Sequence, residues 1–222
     1  MIGIIDYGMG NLHSVSKALE RLDYDYFISE DPKKLKEAKG LILPGVGSFR
    51  DAMAILKEEQ LDEFVIDWAE AGKPLLGICL GMQLLFEESE ENGQTKGLNL
   101  LPGRVERFPG VTKDGVPYKV PHMGWNRLSF QQPKHPLLED VEQGHVYFVH
   151  SYVVRIKDRE ALLASANYDG EVPAVVGKNN VLGTQFHPEK SSEIGMSILR
   201  NYAAIVEGRK QVNEFVYDLS SD

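Results

Sequence analysis

Residues 73–88 read KPLLGICLGMQLLFEE and hold the only cysteine of the 222-residue chain. Cys79 stands between Gly77 and Gly81, at the end of an apolar run and ahead of a helical pattern. The form Gly-x-nucleophile-x-Gly marks a sharp strand-to-helix turn in α/β enzymes, with the nucleophile held at the tip of a strand. Glycines two residues to either side lack Cβ atoms, so strand and helix can approach closely. The helix N-terminus then faces the sulfur and favours the thiolate, as a neighbouring histidine also would. A core cysteine in a buried strand is the plainer alternative, because cysteine is often buried. Such a residue needs no flanking glycines, and the nucleophile is therefore preferred.

The elbow requires an α/β setting, and the first half of the chain supplies one. IGIID (2–6), YDYFIS (24–29), GLILPG (40–45) and PLLGIC (74–79) read as short strands, with apolar helical spacing between them. The helices are expected in NLHSVSKALERL (11–22), in a short lysine-rich stretch after a DP turn, and in one segment from Phe49 to Trp68 capped by Ser48 and closed by Gly72. Strands apolar on both faces, alternating with amphipathic helices, predict a central, mostly parallel sheet with helices on both sides. From Gly103 to His187 the strand-like pieces are GRVERF, YKVPHMGWNRLSF, HVYFVHSYVVRI, LLASANY and PAVVGKNNVLGTQFH, with a hairpin turn at GKNN. A last helix, SSEIGMSILRNYAAIVEG, closes a single α/β domain that carries an antiparallel β addition.

Composition narrows the function. A net charge of −9 and the lack of a basic block argue against nucleic acid as a partner. A lone cysteine excludes an internal disulfide and fits a reducing compartment. The longest apolar run, Pro74 to Phe86, is shorter than the roughly 20 residues a bilayer-spanning helix needs. With no basic leader before the first strand, a soluble cytoplasmic protein is expected, bound to no membrane. The DYGMGN stretch (6–11) suggests a dinucleotide loop, but His13 occupies the third glycine position and no acidic residue ends the second strand. A tight turn is the better reading, and no cofactor is expected.

A thiolate nucleophile needs an acid–base partner, and the chain offers six histidines. His13 (on a helix) and His135 (in a KHP turn) read as solvated, His122 and His145 as loop residues, and His150 as mid-strand. His187 ends an apolar strand, which Pro188 stops, and Glu189 follows two residues on, at roughly 6–7 Å in extended chain. A carboxylate there can orient the imidazole and stabilise imidazolium. Active sites of open α/β sheets form at the carboxyl ends of strands, where Cys79 and His187 both fall. A metal site of His187, Glu189 and His150 fits no common zinc spacing, and no metal is expected. LPGVGSF (43–49) ends a parallel strand one helix before the elbow. Its Gly45 and Gly47 free the backbone to present amides to an oxyanion, together with the amide of Leu80.

PGVGSF, GICLGMQLL and FHPEKS together resemble the triad-type, class I glutamine amidotransferases, a family with a flavodoxin-like α/β fold. The resemblance covers residues 1–208 and leaves 209–222 as an extension of unknown role. It implies that Cys79 attacks the carboxamide of glutamine, with His187 and Glu189 completing the triad and Val46 or Gly47 and Leu80 forming the oxyanion hole. It implies that Gln83, Glu91, His150, Ser151 and Tyr152 hold the amino-acid end of the substrate. DYGMGN, PGVGSF, PHMGWN and YFVHSY are similar to the branch of the family serving histidine biosynthesis. In that branch a (β/α)8-barrel cyclase is the heterodimer partner and receives the ammonia. Asn11, His122, Met123, Trp125, Asn126 and Lys190 match positions at or near that interface; core packing remains the alternative for Trp125.

Overall fold

Every residue of the strands β1 (Ile2–Ile5), β3 (Gly40–Leu43) and β4 (Leu75–Ile78) is buried, as expected of strands covered on both faces. The computed structural model describes residues 1–212. Helix α1 (Leu12–Arg21) follows β1, with Asn11 Oδ1 accepting from the Ser14 amide at 3.3 Å as its cap. Then come β2 (Tyr26–Ser29) and the short α2 (Pro32–Leu35), where Asp31 caps and Pro32 supplies the preset φ of a first turn. Ser48 caps α3 (Phe49–Glu58) through the Asp51 amide. The single helix expected up to Trp68 is in fact two. Gln60 takes a left-handed φ of 57° and separates α3 from α4 (Leu61–Glu70), a break that its neighbours do not signal.

After β4, α5 covers only Leu80–Leu84, and the apolar run continues as β5 (Phe86–Ser89) instead of as helix. The remaining strands are β6 (Thr95–Lys96), β7 (Leu101–Arg107), β8 (His122–Arg127), β9 (Ser129–Phe130), β10 (His145–His150), β11 (Tyr152–Ile156), β12 (Leu162–Asn167), β13 (Glu171–Lys178) and β14 (Val181–Thr184). Helix α6 (Ser192–Val206) ends the fold. The stretch read as one piece, HVYFVHSYVVRI, divides at Ser151: β10 pairs with β8, while β11 pairs with β7 in a different sheet. YKVPHMGWNRLSF likewise begins as strand only at His122.

The main sheet has the order β2-β1-β3-β4-β14-β13-β12-β9. β2, β1, β3, β4 and β14 run parallel, and β13, β12 and β9 add antiparallel. The turn from Lys178 to Val181 is the predicted hairpin, with Asn179 at a φ of 54°. One face packs on α1 and α6 through residues such as Leu19, Ile198 and Leu199; the other packs on α3 and α4 through Phe49, Met53 and Val65. Burying each such side chain contributes about 1.5–3 kcal/mol, and this two-sided core fixes the sheet edge from which the site is built. Val212 packs into the first of these clusters, so the chain just beyond Gly208 lies against the body; residues 213–222 of the expected extension lie outside the described residues. Among the described residues no helix is long and apolar enough to cross a membrane.

Candidate active site

β4 and β14 lie side by side, which brings Cys79 and the segment after Thr184 to the same sheet end. The Cys79 amide donates to the Thr184 carbonyl at 2.8 Å. Cys79 itself sits at φ 56°, ψ −112°, a sparsely populated conformation for a residue with a Cβ and one typical of a functional turn. Both flanking glycines are sterically required. A Cβ on Gly77 would lie 2.6 Å from the Gly81 carbonyl oxygen, and one on Gly81 would collide with the Leu43 carbonyl of β3. The helix behind the sulfur is shorter than expected, since α5 has only five residues, and its dipole is correspondingly small. The side chains around the sulfur therefore matter more than the helix behind it.

His187 is the chief of these. The pair expected in extended chain is wound into a 3-10 turn over Pro188–Lys190, because the fixed φ of proline suits a first helical position as well as a strand stop. The turn brings His187 Nδ1 to 2.7 Å from Glu189 Oε1, with the two side chains only 3% and 1% exposed. The other ring nitrogen is left for Cys79, which lines the same cavity and whose charge favours the protonated imidazole. Burial alone pushes the imidazole pKa down, but the hydrogen bonds and charges of Cys79 and Glu189 prevail and raise it to about 10. Ser191 Oγ donates to the His187 carbonyl at 2.6 Å and fixes the turn from behind. Among the described residues no group of three or more His, Cys, Asp or Glu is placed to hold a metal ion.

A cavity of about 520 Å3 opens over Cys79, large enough for a free amino acid. Val46, Gly47, Leu80, Gln83, Glu91, His150, Ser151 and Tyr152 line it with Cys79 and His187. Glu91, which could have been one more solvated acidic residue, accepts from the Phe49 amide at the start of α3 at 3.0 Å. Burial raises its pKa, the Phe49 amide opposes, and Asp51 adds to the rise. Arg107 and Pro121 also line the cavity and carry no sequence signal that would have found them.

The histidines depart most from expectation. His135 is buried, not solvated, and its Nδ1 accepts from the Leu137 amide at 3.1 Å. His122 and His145 belong to strands, and His150 ends β10 instead of lying mid-strand. His122 is not a surface residue: it is 2% exposed, stacked between Phe148 and Tyr168, and it hydrogen-bonds with the half-buried Asn126. Of the other expected interface residues, Met123 and Trp125 are each 54% exposed, which removes core packing as the reason for Trp125. Asn126 is half-buried, Lys190 is exposed on the turn that carries Glu189, and Asn11 caps α1.

PGVGSF follows β3, which pairs with β4, and so lies beside the elbow, with two helices between them in the chain instead of one. Two of the expected oxyanion donors are engaged in this arrangement: the Val46 amide donates to the Met9 carbonyl at 2.7 Å, and the Leu80 amide to the Gly45 carbonyl at 3.3 Å. DYGMGN is thereby explained without a nucleotide. Tyr7 hydroxyl donates to the Pro44 carbonyl at 2.7 Å, and a Cβ on Gly10 would lie 2.8 Å from Pro44 Cγ, so this loop buttresses the oxyanion segment.

Known proteins resemble this chain in sequence and in fold. The family model described as glutamine amidotransferase class-I matches residues 3–205. A protein of Halalkalibacterium halodurans named imidazole glycerol phosphate synthase subunit HisH is 72% identical over 93% of this chain and 97% of its own length. The protein of the same name from Bacillus subtilis is 60% identical over 95% of this chain and 99% of its own. Among solved structures, a glutamine amidotransferase superposes with a TM-score of 0.71 at 23% identity, covering 93% of this chain and 98% of that one. The structure of PurLQS from Thermotoga maritima matches with a TM-score of 0.68 at 20% identity, covering 92% and 98%. A strained cysteine elbow, a buried His–Glu pair at its side and a match over nearly the whole chain agree: this chain belongs to the class I glutamine amidotransferases.

Proposed function

We propose that this chain is the glutaminase subunit of an imidazole glycerol phosphate synthase, with residues 1–208 as the catalytic domain. The observation that carries the chemistry is that Cys79 and His187, the latter held by Glu189, line one amino-acid-sized cavity. The relatives sharing 60–72% of its residues carry the name of that subunit.

Cys79 Sγ attacks the side-chain carbonyl carbon of L-glutamine, and the thiol proton passes to His187. The tetrahedral intermediate collapses as His187 returns that proton to the leaving nitrogen, releasing ammonia and leaving a γ-glutamyl thioester. His187 then takes a proton from water, whose oxygen attacks the thioester, and glutamate departs as the thiol is restored. Glu189 stabilises the imidazolium at each stage. Leu80 and either Val46 or Gly47 donate to the oxyanion. For Val46 to serve, its amide must leave Met9, a turn that Gly47, at a φ of 104°, permits. Gln83, Glu91, His150, Ser151 and Tyr152 hold the amino-acid end.

Ammonia freed into neutral water becomes ammonium, which is no nucleophile, so a partner must take it directly. That partner is the (β/α)8-barrel cyclase, which makes imidazole glycerol phosphate and AICAR in L-histidine biosynthesis. It docks in a cytoplasmic heterodimer on the face of Asn11, Met123, Trp125, Asn126 and Lys190. The exposure of Trp125 beside Met123 supports this, since aromatic and Met side chains are enriched at interface centres. Glutaminase assays with and without the cyclase subunit test the proposal: turnover is expected to be slow alone and strongly stimulated in the complex. Full turnover by the isolated chain would point to a free-standing hydrolase instead.

A further inference from the structure

Gln185 has no role in the scheme above, yet it is fully buried, with an exposure of 0%, two residues before His187. Its main-chain amide donates to the Ala174 carbonyl at 2.8 Å, and its side chain spans the floor of the site. Nε2 donates to Cys79 Sγ at 3.9 Å, a length that a large sulfur acceptor permits. Oε1 accepts from Gln83 Nε2 at 3.1 Å. Gln83 Nε2 spends its second proton on the Tyr152 carbonyl at 3.3 Å, so its Oε1 is the atom left for the cavity.

The sense of this network is fixed from its far end. The Tyr152 carbonyl can only accept, so His150 Nδ1 donates to it at 2.7 Å, and His150 Nε2 becomes an acceptor. His122 Nδ1 donates into that nitrogen at 2.9 Å, and His122 Nε2 accepts from Asn126 Nδ2 at 3.1 Å. Two neutral imidazoles and three side-chain amides are therefore left with one orientation each. A polar side chain buried as deeply as Gln185 costs stability unless both its ends are used, and here both are.

We infer that Gln185 is a positioning residue for the glutaminase reaction. Its N–H steadies the Cys79 sulfur as negative charge gathers there, and its oxygen holds Gln83 in the flip that offers Oε1 to the substrate. The Val149 carbonyl, also 3.9 Å from Sγ, accepts from the thiol and gives nothing to a thiolate. The titratable groups facing the sulfur are His187, backed by Glu189, and the Tyr7 hydroxyl, which is engaged with Pro44. The inference rests on the reading of Cys79 as nucleophile.

The test uses the full chain as wild type, Gln185→Met and Gln185→Glu. Iodoacetamide alkylation followed against pH reads the thiolate at Cys79 and needs no partner; steady-state assays in the complex with the cyclase read KM and kcat. Gln185→Met keeps the volume and loses both polar ends. Its alkylation midpoint should rise by about one pH unit, and the KM for glutamine by about tenfold, as expected for lost hydrogen bonds. Gln185→Glu keeps an acceptor for Gln83 but sets a carboxylate against the sulfur, so the midpoint should rise while KM stays near the wild-type value. General loosening of the site would move both variants alike and would overturn the inference, as would unmoved midpoints in folded variants. If Gln185→Met does not fold, the wild type decides by NMR: alkylating Cys79 should shift the Gln185 side-chain amide signals, and unchanged signals count against the inference. A wild-type chain inactive even with the cyclase would sink the functional reading, while the alkylation midpoints would still judge Gln185.

Discussion

Acidification should destabilise this protein well before its carboxylates titrate, because three histidines are buried neutral. Burial holds His122 and His135 at pKa values of about 4, and His150 at about 3, with the nearby charges of His122 and His187 adding to the fall for His150. The unfolded chain binds these protons near its ordinary pKa of about 6.5, whereas the folded chain refuses them until pH is far lower. Stability is therefore fully present above about pH 6.5 and is lost as pH falls toward about 4. Between pH 7 and pH 5 each histidine should cost about 2 kcal/mol, and the three together about 6 kcal/mol, comparable with the whole stability of many domains. His187 acts in the opposite sense: its pKa is raised to about 10, so its contribution is complete below about 6.5 and fades as pH climbs. Urea unfolding at the two pH values measures the difference, and histidine ring resonances show directly which residues stay neutral. A loss under about 2 kcal/mol, or three rings titrating near pH 6.5, would refute the reasoning.

Other outcomes follow from single contacts. Glu189→Gln keeps the shape but removes the charge opposite His187, and kcat for glutamine should fall at least about a hundredfold with ammonia-dependent synthesis in the complex unchanged. Gly81→Ala drives a methyl group into the Leu43 carbonyl, and thermal unfolding should report a loss of about 1–3 kcal/mol. Trp125→Ala should leave the melting of the isolated chain within about 0.5 kcal/mol, since the ring is 54% exposed, yet weaken cyclase binding by about 2 kcal/mol in calorimetry.

The elbow was legible because its cause is local: two glycines flanking a cysteine after an apolar strand leave few other geometries. The parallel order was legible for the same kind of reason, as strands apolar on both faces must be covered on both. What could not be read depends on partners distant in the chain. KHP looks like a solvated turn and PHM like a loop, yet His135 and His122 are buried by strands and rings from elsewhere. His187 and Glu189 were paired correctly but placed in extended chain, because Pro188 ends a strand and begins a turn equally well. The break at Gln60 and the division at Ser151 have no Gly or Pro to announce them. Gln185 hides in an apolar run, where a lone amide carries no pattern.

Pairing of β4 with β14 also sets when the thiol can become reactive. Gln185 and Cys79 meet across 106 positions of sequence, and His187 lies further on still. Contacts of such long range form late, after the loop between them has closed. A chain emerging from the ribosome thus carries Cys79 long before His187 has been made. Until β14 enters the sheet beside β4, Cys79 has neither Gln185 nor His187 for a neighbour, and the last parallel strand is what completes the cavity around it.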